Sequence, residues 1–172
     1  AIGFNSCKKD ESTAEELETT FELSGDQAVA DNLTEDANDV FMEIAQDNNV
    51  AGTFAPEPVT NIIPCATVTI TPASGFPKTI VIDFGTSCTH RGITRSGKIN
   101  IVITDSVRRT GSTATMTFDN YFVNLYKVEG TITWTNTSTA VTRSWTRTTE
   151  NGRITAPDNR YWLHRGIRYV VQ

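Results

Sequence analysis

TATMTFDNYFVNLYKVEGTITWTNT, residues 113–137, decides the fold class. Its residues alternate between apolar and polar or are β-branched, the period-2 pattern of strands wet on one face and buried on the other. Thr131, Thr133 and Thr135 face away from Ile132 and Trp134. Asp119-Asn120 falls where a bulge or tight turn can redirect the chain, and Gly130 lets the strand bend. The same pattern recurs in CATVTIT (65–71), KTIVIDFG (78–85), GKINIVITD (97–105) and TAVTRSWTRT (139–148). PASGFP (72–77) reads as the turn of a hairpin between the first two of these. Gly97 is expected to open a strand, and Gly85 and Gly97 to bracket a loop. Arg109-Thr110-Gly111-Ser112 and Asn151-Gly152 read as further turns, the latter the strongest short hairpin signal in the chain. The expected architecture is mainly β: an antiparallel meander of about seven to nine strands.

Upstream the period changes. In DQAVADNLTEDANDVFMEIAQDNN (26–49), Val29, Leu33, Ala37, Val40, Phe41 and Ile44 recur every three or four residues. That spacing puts them on one face of an amphipathic helix over 26–48, with Asp and Glu on the other face. Ser24 or Asp26 can cap its start, and Asn48-Asn49 with Gly52 marks its end. The helix is expected to pack on one face or edge of the sheet. The Asp/Asn density from Asp31 to Asp39 lacks the glycine and register of a calcium loop, so a solvated helix face explains it. Pro56, Pro58 and Pro64 mark the linker between helix and sheet.

Charge is divided along the chain. Residues 1–60 carry fourteen Asp/Glu and two Lys, a balance of −12, whereas 61–172 carry six Asp/Glu and thirteen Lys/Arg, a balance of +7. The basic residues are scattered rather than clustered with aromatics, which argues against nucleic acid and for basic strand residues near an acidic helix. No run approaches the roughly 18 apolar residues of a membrane span. The Thr-x-Thr alternation also occurs on ice-binding surfaces, but there is no short fixed repeat, and threonine suits the wet face of any sheet.

The N-terminus bears on location. Ala1-Ile2-Gly3-Phe4-Asn5-Ser6-Cys7 looks like the end of a secretory signal, leaving 1–6 as a signal remnant. A small residue directly before Cys7 resembles the bacterial lipobox, and FNSCKKDE resembles the start of lipoproteins from the Bacteroidota; Phe4 stands where the stricter lipobox has Leu. That resemblance implies acylation of Cys7, anchoring to the outer membrane, and an acidic flexible tether over 7–25 that holds a domain (26–172) off the membrane. Each buried acyl methylene contributes about 0.8 kcal/mol, so several chains anchor durably. With Cys7 so used, Cys65 and Cys88 remain as one disulfide in an oxidising compartment. The competing zinc reading of Cys65, Cys88 and His90 has three ligands at best and no zinc-like spacing.

IVIDFGTSC (80–88), GITRSGKINIVITD (92–105) and GSTATMTFDNYFVNLYKVEGTITWTN (111–136) together resemble a family of Bacteroidota lipoproteins that has no established activity to carry over. The resemblance covers about residues 26–150 and implies a β-rich envelope lipoprotein. It weakens after Gly152, and the chain ends on the strand-like IRYVVQ. With the absent initiator Met, this gives the expectation of a chain cut at both ends. Asp105-Ser106-Val107 resembles a Bacteroidota O-glycosylation site, with Ser106 the acceptor.

Catalysis finds little footing. His90 and His164 are the only histidines, there is no Gly-x-Ser-x-Gly elbow, and Asp83-Phe84-Gly85 lacks every other kinase element. The carboxylates of the β region are widely spread, so paired carboxylates for glycoside chemistry are not visible. Val141, Arg143, Trp145 and Arg147 would share one strand face able to bind a glycan by stacking and charge-assisted hydrogen bonds. The plainer alternative is a half-buried Trp145 covered by arginine stems. The reading is thus an envelope lipoprotein acting as a non-catalytic interaction or ligand-binding module with no cofactor. Its expected partners are the membrane and a glycan or envelope protein. The alternatives are a glycan-processing enzyme or a structural coat component. A pocket joining His90 to a carboxylate would favour an enzyme, and an exposed Trp145 with arginine neighbours would favour glycan binding.

Overall fold

The computed structural model describes residues 14–47 and 63–171, with side chains over 25–45 in the helix. One helix, α1 (Ala14–Asp47), precedes eight strands: β1 (Thr67–Thr71), β2 (Lys78–Asp83), β3 (Cys88–His90), β4 (Ile93–Ile103), β5 (Thr113–Val123), β6 (Tyr126–Asn136), β7 (Ser144–Thr155) and β8 (Tyr161–Val171). All pair antiparallel in one open sheet ordered β1-β2-β4-β5-β6-β7-β8, with β3 folded back on β4. This is the expected meander with a helix packed on one face.

α1 begins at Ala14 rather than Asp26, so the helix runs into the stretch expected as tether. Its apolar stripe lands as the spacing requires: Leu33, Ala37, Val40, Phe41 and Ile44 are buried, and Val29 packs at the margin. Opposite them lie Ile80, Ile82, Ile99, Ile101, Ile103, Met116 and Ile132, all buried. Burying each large side chain contributes roughly 1.5–3 kcal/mol.

Among the described residues, part of the divided charge pairs between α1 and the sheet, on the sheet's helix-facing side rather than its solvent face. Arg95, 6% exposed, donates from Nε to Asp36 Oδ2 at 2.9 Å and from Nη2 to Oδ1, and the Tyr121 hydroxyl donates to the same carboxylate at 3.3 Å. Burial works against the Arg95 charge, but Asp36 outweighs it and holds the guanidinium pKa above its ordinary value. Burial, with Asp36 adding to it, pushes the Tyr121 phenol well up. Arg147 and Arg168 both donate to Glu35 Oε1, at 2.6 and 2.8 Å. The acidic face of α1 is therefore a set of anchors as well as a solvated surface.

Three glycine expectations are corrected. Asn151-Gly152 is not a hairpin turn: it lies inside β7, at bulges in the pairing with both β6 and β8. Asn151 has φ +51°, and a Cβ on Gly152 would meet the His164 carbonyl oxygen at 2.3 Å. The left-handed conformation that suits a hairpin serves a bulge equally well. The actual β7–β8 turn is closed by hydrogen bonds between Ala156 and both Asn159 and Arg160. Gly97 does not open a strand but sits within β4 at a bulge, where its Cβ would lie 2.0 Å from the Asn120 carbonyl oxygen. Gly97 does bond Gly85 (Gly97 N–H to Gly85 O, 2.9 Å), but what the two glycines bracket is the hairpin of β3 and the first residues of β4 rather than a loop. The Asp119-Asn120 and Gly130 irregularities fall at bulges as expected.

Candidate functional site

A cleft of about 940 Å³ opens between the C-terminal half of α1 and one end of the sheet. Phe41, Met42 and Ala45 of the helix form its apolar wall, and Trp134 and Trp145, on β6 and β7, form the opposite one. Arg108, Arg143 and Arg168 bring positive charge to its lining, against the single carboxylate of Glu35.

The loops that carry these cations are built locally. Asn136, buried at the end of β6, donates from its side chain to the Val107 carbonyl at 2.8 Å and accepts from the Ser138 N–H at 2.9 Å. Its main chain bonds Gly111 and Ser112. One residue thus ties the β4–β5 loop, with Arg108, to the β6–β7 loop. The latter is closed by Ser138 and Ser144, whose main chain and hydroxyl groups interlock, and it presents Arg143 just ahead of β7. Among the described residues neither Arg108 nor Arg143 has an ion-pair partner. Glu35, in contrast, is engaged by two guanidinium groups.

The expected glycan contacts separate in the structure. Arg143 and Trp145 line the cleft. Arg147 does not: it is 4% exposed, bonded to Glu35 and stacked 5.5 Å over the Trp134 ring. Arg147 is therefore a packing and anchoring residue, because α1 covers that part of β7. Val141 and Arg143 precede the strand rather than belonging to it. Trp134, Arg108 and Arg168 were not marked as site residues by the sequence. Trp134 was visible only as an apolar strand position, and its indole Nε1 is buried without a hydrogen-bond partner among the described residues.

Cys65 and Cys88 form a disulfide (Cα–Cα 5.3 Å) that joins the segment before β1 to β3. Both thiols are consumed, which removes the zinc reading with His90. Among the described residues no group of three or more His, Cys, Asp or Glu side chains could hold a metal, and no helix is long and apolar enough to cross a membrane. Cys7 lies outside the described residues. Ser106 sits half-buried in the β4–β5 loop, its N–H bonded to Asp105 Oδ1 at 2.7 Å and its hydroxyl accepting from the Arg108 N–H at 3.4 Å. That Ser106 N–H, with Arg109 assisting, holds the Asp105 carboxyl below its ordinary range.

Neither histidine joins the cleft. His90 lies on β3, and His164 on β8 faces Asp31 of α1 at 3.7 Å. Burial, together with Arg147 and Arg168, lowers the His164 pKa despite Asp31, so at neutral pH the contact is not an ion pair. The cleft thus offers stacking surfaces and cations, without a histidine or a free carboxylate among its lining residues. Compared with models of protein families, with curated proteins and with solved structures, the chain matches none.

Proposed function

We propose that this chain is a non-catalytic ligand-binding module of a Bacteroidota cell envelope, held at the outer membrane through acylated Cys7, whose cleft takes an anionic glycan. The cleft itself carries the reading: two indoles sit beside guanidinium groups that lack ion-pair partners among the described residues. Sugar rings present C–H faces that stack on indole, and uronate or sulfate groups accept charge-assisted hydrogen bonds from arginine. The lining charge, three Arg against one Glu, favours an acidic over a neutral sugar. The lipobox resemblance around Cys7 supports the location.

Calorimetric titration with oligogalacturonate, its methyl ester and a heparin oligosaccharide tests the cleft. Binding of an acidic oligomer but not the ester is expected. Trp145→Ala and Arg143→Gln should each weaken it about tenfold, the equivalent of ~1.4 kcal/mol, whereas Lys127→Gln, on the other face of the sheet, should not. No binding by the wild type, or equal loss in Lys127→Gln, overturns the reading. Location is tested apart, by mass and membrane partition of the protein against Cys7→Ala in a Bacteroidota host.

A further inference from the structure

The two arginines without ion-pair partners among the described residues reach the cleft from different loops, Arg108 from β4–β5 and Arg143 from β6–β7. Long side chains on separate loops lose freedom when they engage one ligand, and they lose less where the loops are already fixed. What fixes the loops is therefore part of the site. Main-chain bonds hold the far side of the β4–β5 loop: Gly111 donates to the Asn136 carbonyl at 2.8 Å, and Asn136 donates to the Ser112 carbonyl at 2.9 Å. The main-chain amides of Arg108 and Arg109 instead bond within their own loop, to the hydroxyl and the carbonyl of Ser106.

The Asn136 side chain connects that near side to the neighbouring loop. Asn136 is 4% exposed at the end of β6, pairs across the strands with Trp145, and lines the cleft itself. Its two side-chain partners have opposite polarity, since the Val107 carbonyl only accepts and the Ser138 N–H only donates. A carboxamide matches both, whereas a carboxylate only accepts and a serine hydroxyl stands one bond short of both. The Val107 bond holds the residue next to Arg108. The Ser138 bond leads to Arg143, because the Ser138 hydroxyl donates to the Ser144 carbonyl at 3.3 Å and accepts from the Ser144 N–H at 3.1 Å. A second tie, from the Thr110 hydroxyl to the Ser138 carbonyl at 2.8 Å, is exposed, so water can replace it. The Asn136 bonds are part-buried, and breaking one leaves a buried polar group unpaired.

We propose that Asn136 is the positioning residue of the cleft: it fixes the loop of Arg108 against the loop of Arg143, so that both guanidinium groups act on one acidic oligomer. The inference rests on the acidic-ligand reading given above. Asn136 acts through the two arginines and has no need to touch the ligand. Its loss frees the arginines from one another without removing either charge.

Calorimetric titration of the full chain with trigalacturonate, arranged as double-mutant cycles, tests this role. Arg108→Gln and Arg143→Gln should each weaken binding about tenfold. Asn136→Asp keeps the acceptor for the Ser138 N–H and loses the donor to Val107, so it should free Arg108 alone and also weaken binding about tenfold. Adding Arg108→Gln to it should then change nothing further, while adding Arg143→Gln should bring the total to about a hundredfold. A residue that only stabilises the fold gives the same added loss with either arginine variant. Asn136→Ser introduces no charge and loosens both loops, and in that background each arginine variant should weaken binding by under about threefold. It carries the test if the buried aspartate prevents folding. Undiminished losses from both arginine variants in these backgrounds overturn the positioning role and leave the acidic-ligand reading standing. No binding of trigalacturonate by the wild type overturns that reading, and this inference with it.

Discussion

The two faces of the sheet carry opposite chemistry on one backbone. Facing α1, paired positions run Ile70, Ile80, Ile101, Met116, Ile132, Thr149 across β1 to β7. One residue along, on the far face, the row reads Thr71, Thr79, Val102, Thr115, Thr133, Thr148, and then Ile167 on β8. β-branched side chains suit the pleat on both faces, so strand propensity does not distinguish them. Burial does. The inner row is capped by the helix, while threonine lets the outer row keep the same shape in water. The cleft and the charge pairs between helix and sheet also lie on the inner side, so the helix both completes the core and makes the candidate site. Along this row the outer face departs from threonine at Val102 and again at Ile167 of β8, both exposed.

The largest expected effect comes from the inner charges. Asp36 and Arg95 are 12% and 6% exposed, and Tyr121 is fully buried beside them. Asp36→Ala strands the guanidinium without its carboxylate and should cost about 3–5 kcal/mol in urea unfolding. Adding Arg95→Met to Asp36→Leu should restore much of that, since the penalty is the unpaired charge rather than the lost attraction. If Asp36→Ala costs under about 1 kcal/mol, the inner charges are no better anchored than surface pairs.

The next effect contrasts the faces directly. Ile101 is fully buried and Val102, its neighbour in β4, is 46% exposed. Ile101→Ala should cost about 2–5 kcal/mol through lost contacts and the cavity left behind, while Val102→Ala should cost under about 1 kcal/mol. Equal losses would mean that the outer face is covered in solution.

Periodicity made most of this legible. The strands and the apolar stripe of α1 are local patterns, and each reports its own buried face. Features set by register were not. Asn151-Gly152 has the chemistry of a hairpin turn, and only its position opposite Gly130 and Arg165 makes it a bulge. The β5–β6 reversal was masked because Leu125, at φ +73°, stands where such a turn favours glycine. Arg147 shares its alternation with Trp145, and nothing in β7 itself reveals that Glu35 of a distant helix lies over one and not over the other. Trp134 and Arg108 joined the cleft for the same reason: they meet only once the sheet is assembled. Cys65 and Cys88 were paired by counting, which requires no register.

The smallest expected effect is a pH dependence at the rim of the inner face. Burial holds the His164 pKa below its ordinary 6.5, Arg147 and Arg168 push the same way, and Asp31 opposes them. Between 6.5 and the lowered folded value the unfolded chain binds the proton and the folded chain does not. Stability from this group is therefore full above 6.5 and is lost as pH falls through that window. Carboxylates add their own slopes, so the measurement is a difference. Urea unfolding at about pH 7 and about pH 5.5 should show the wild type losing more stability on acidification than His164→Gln. Parallel losses would place His164 in a wetter setting than its 10% side-chain exposure describes. A steeper loss in the variant would mean that Asp31 dominates and the imidazole is charged in the fold, which would make the inner face ionic out to its edge.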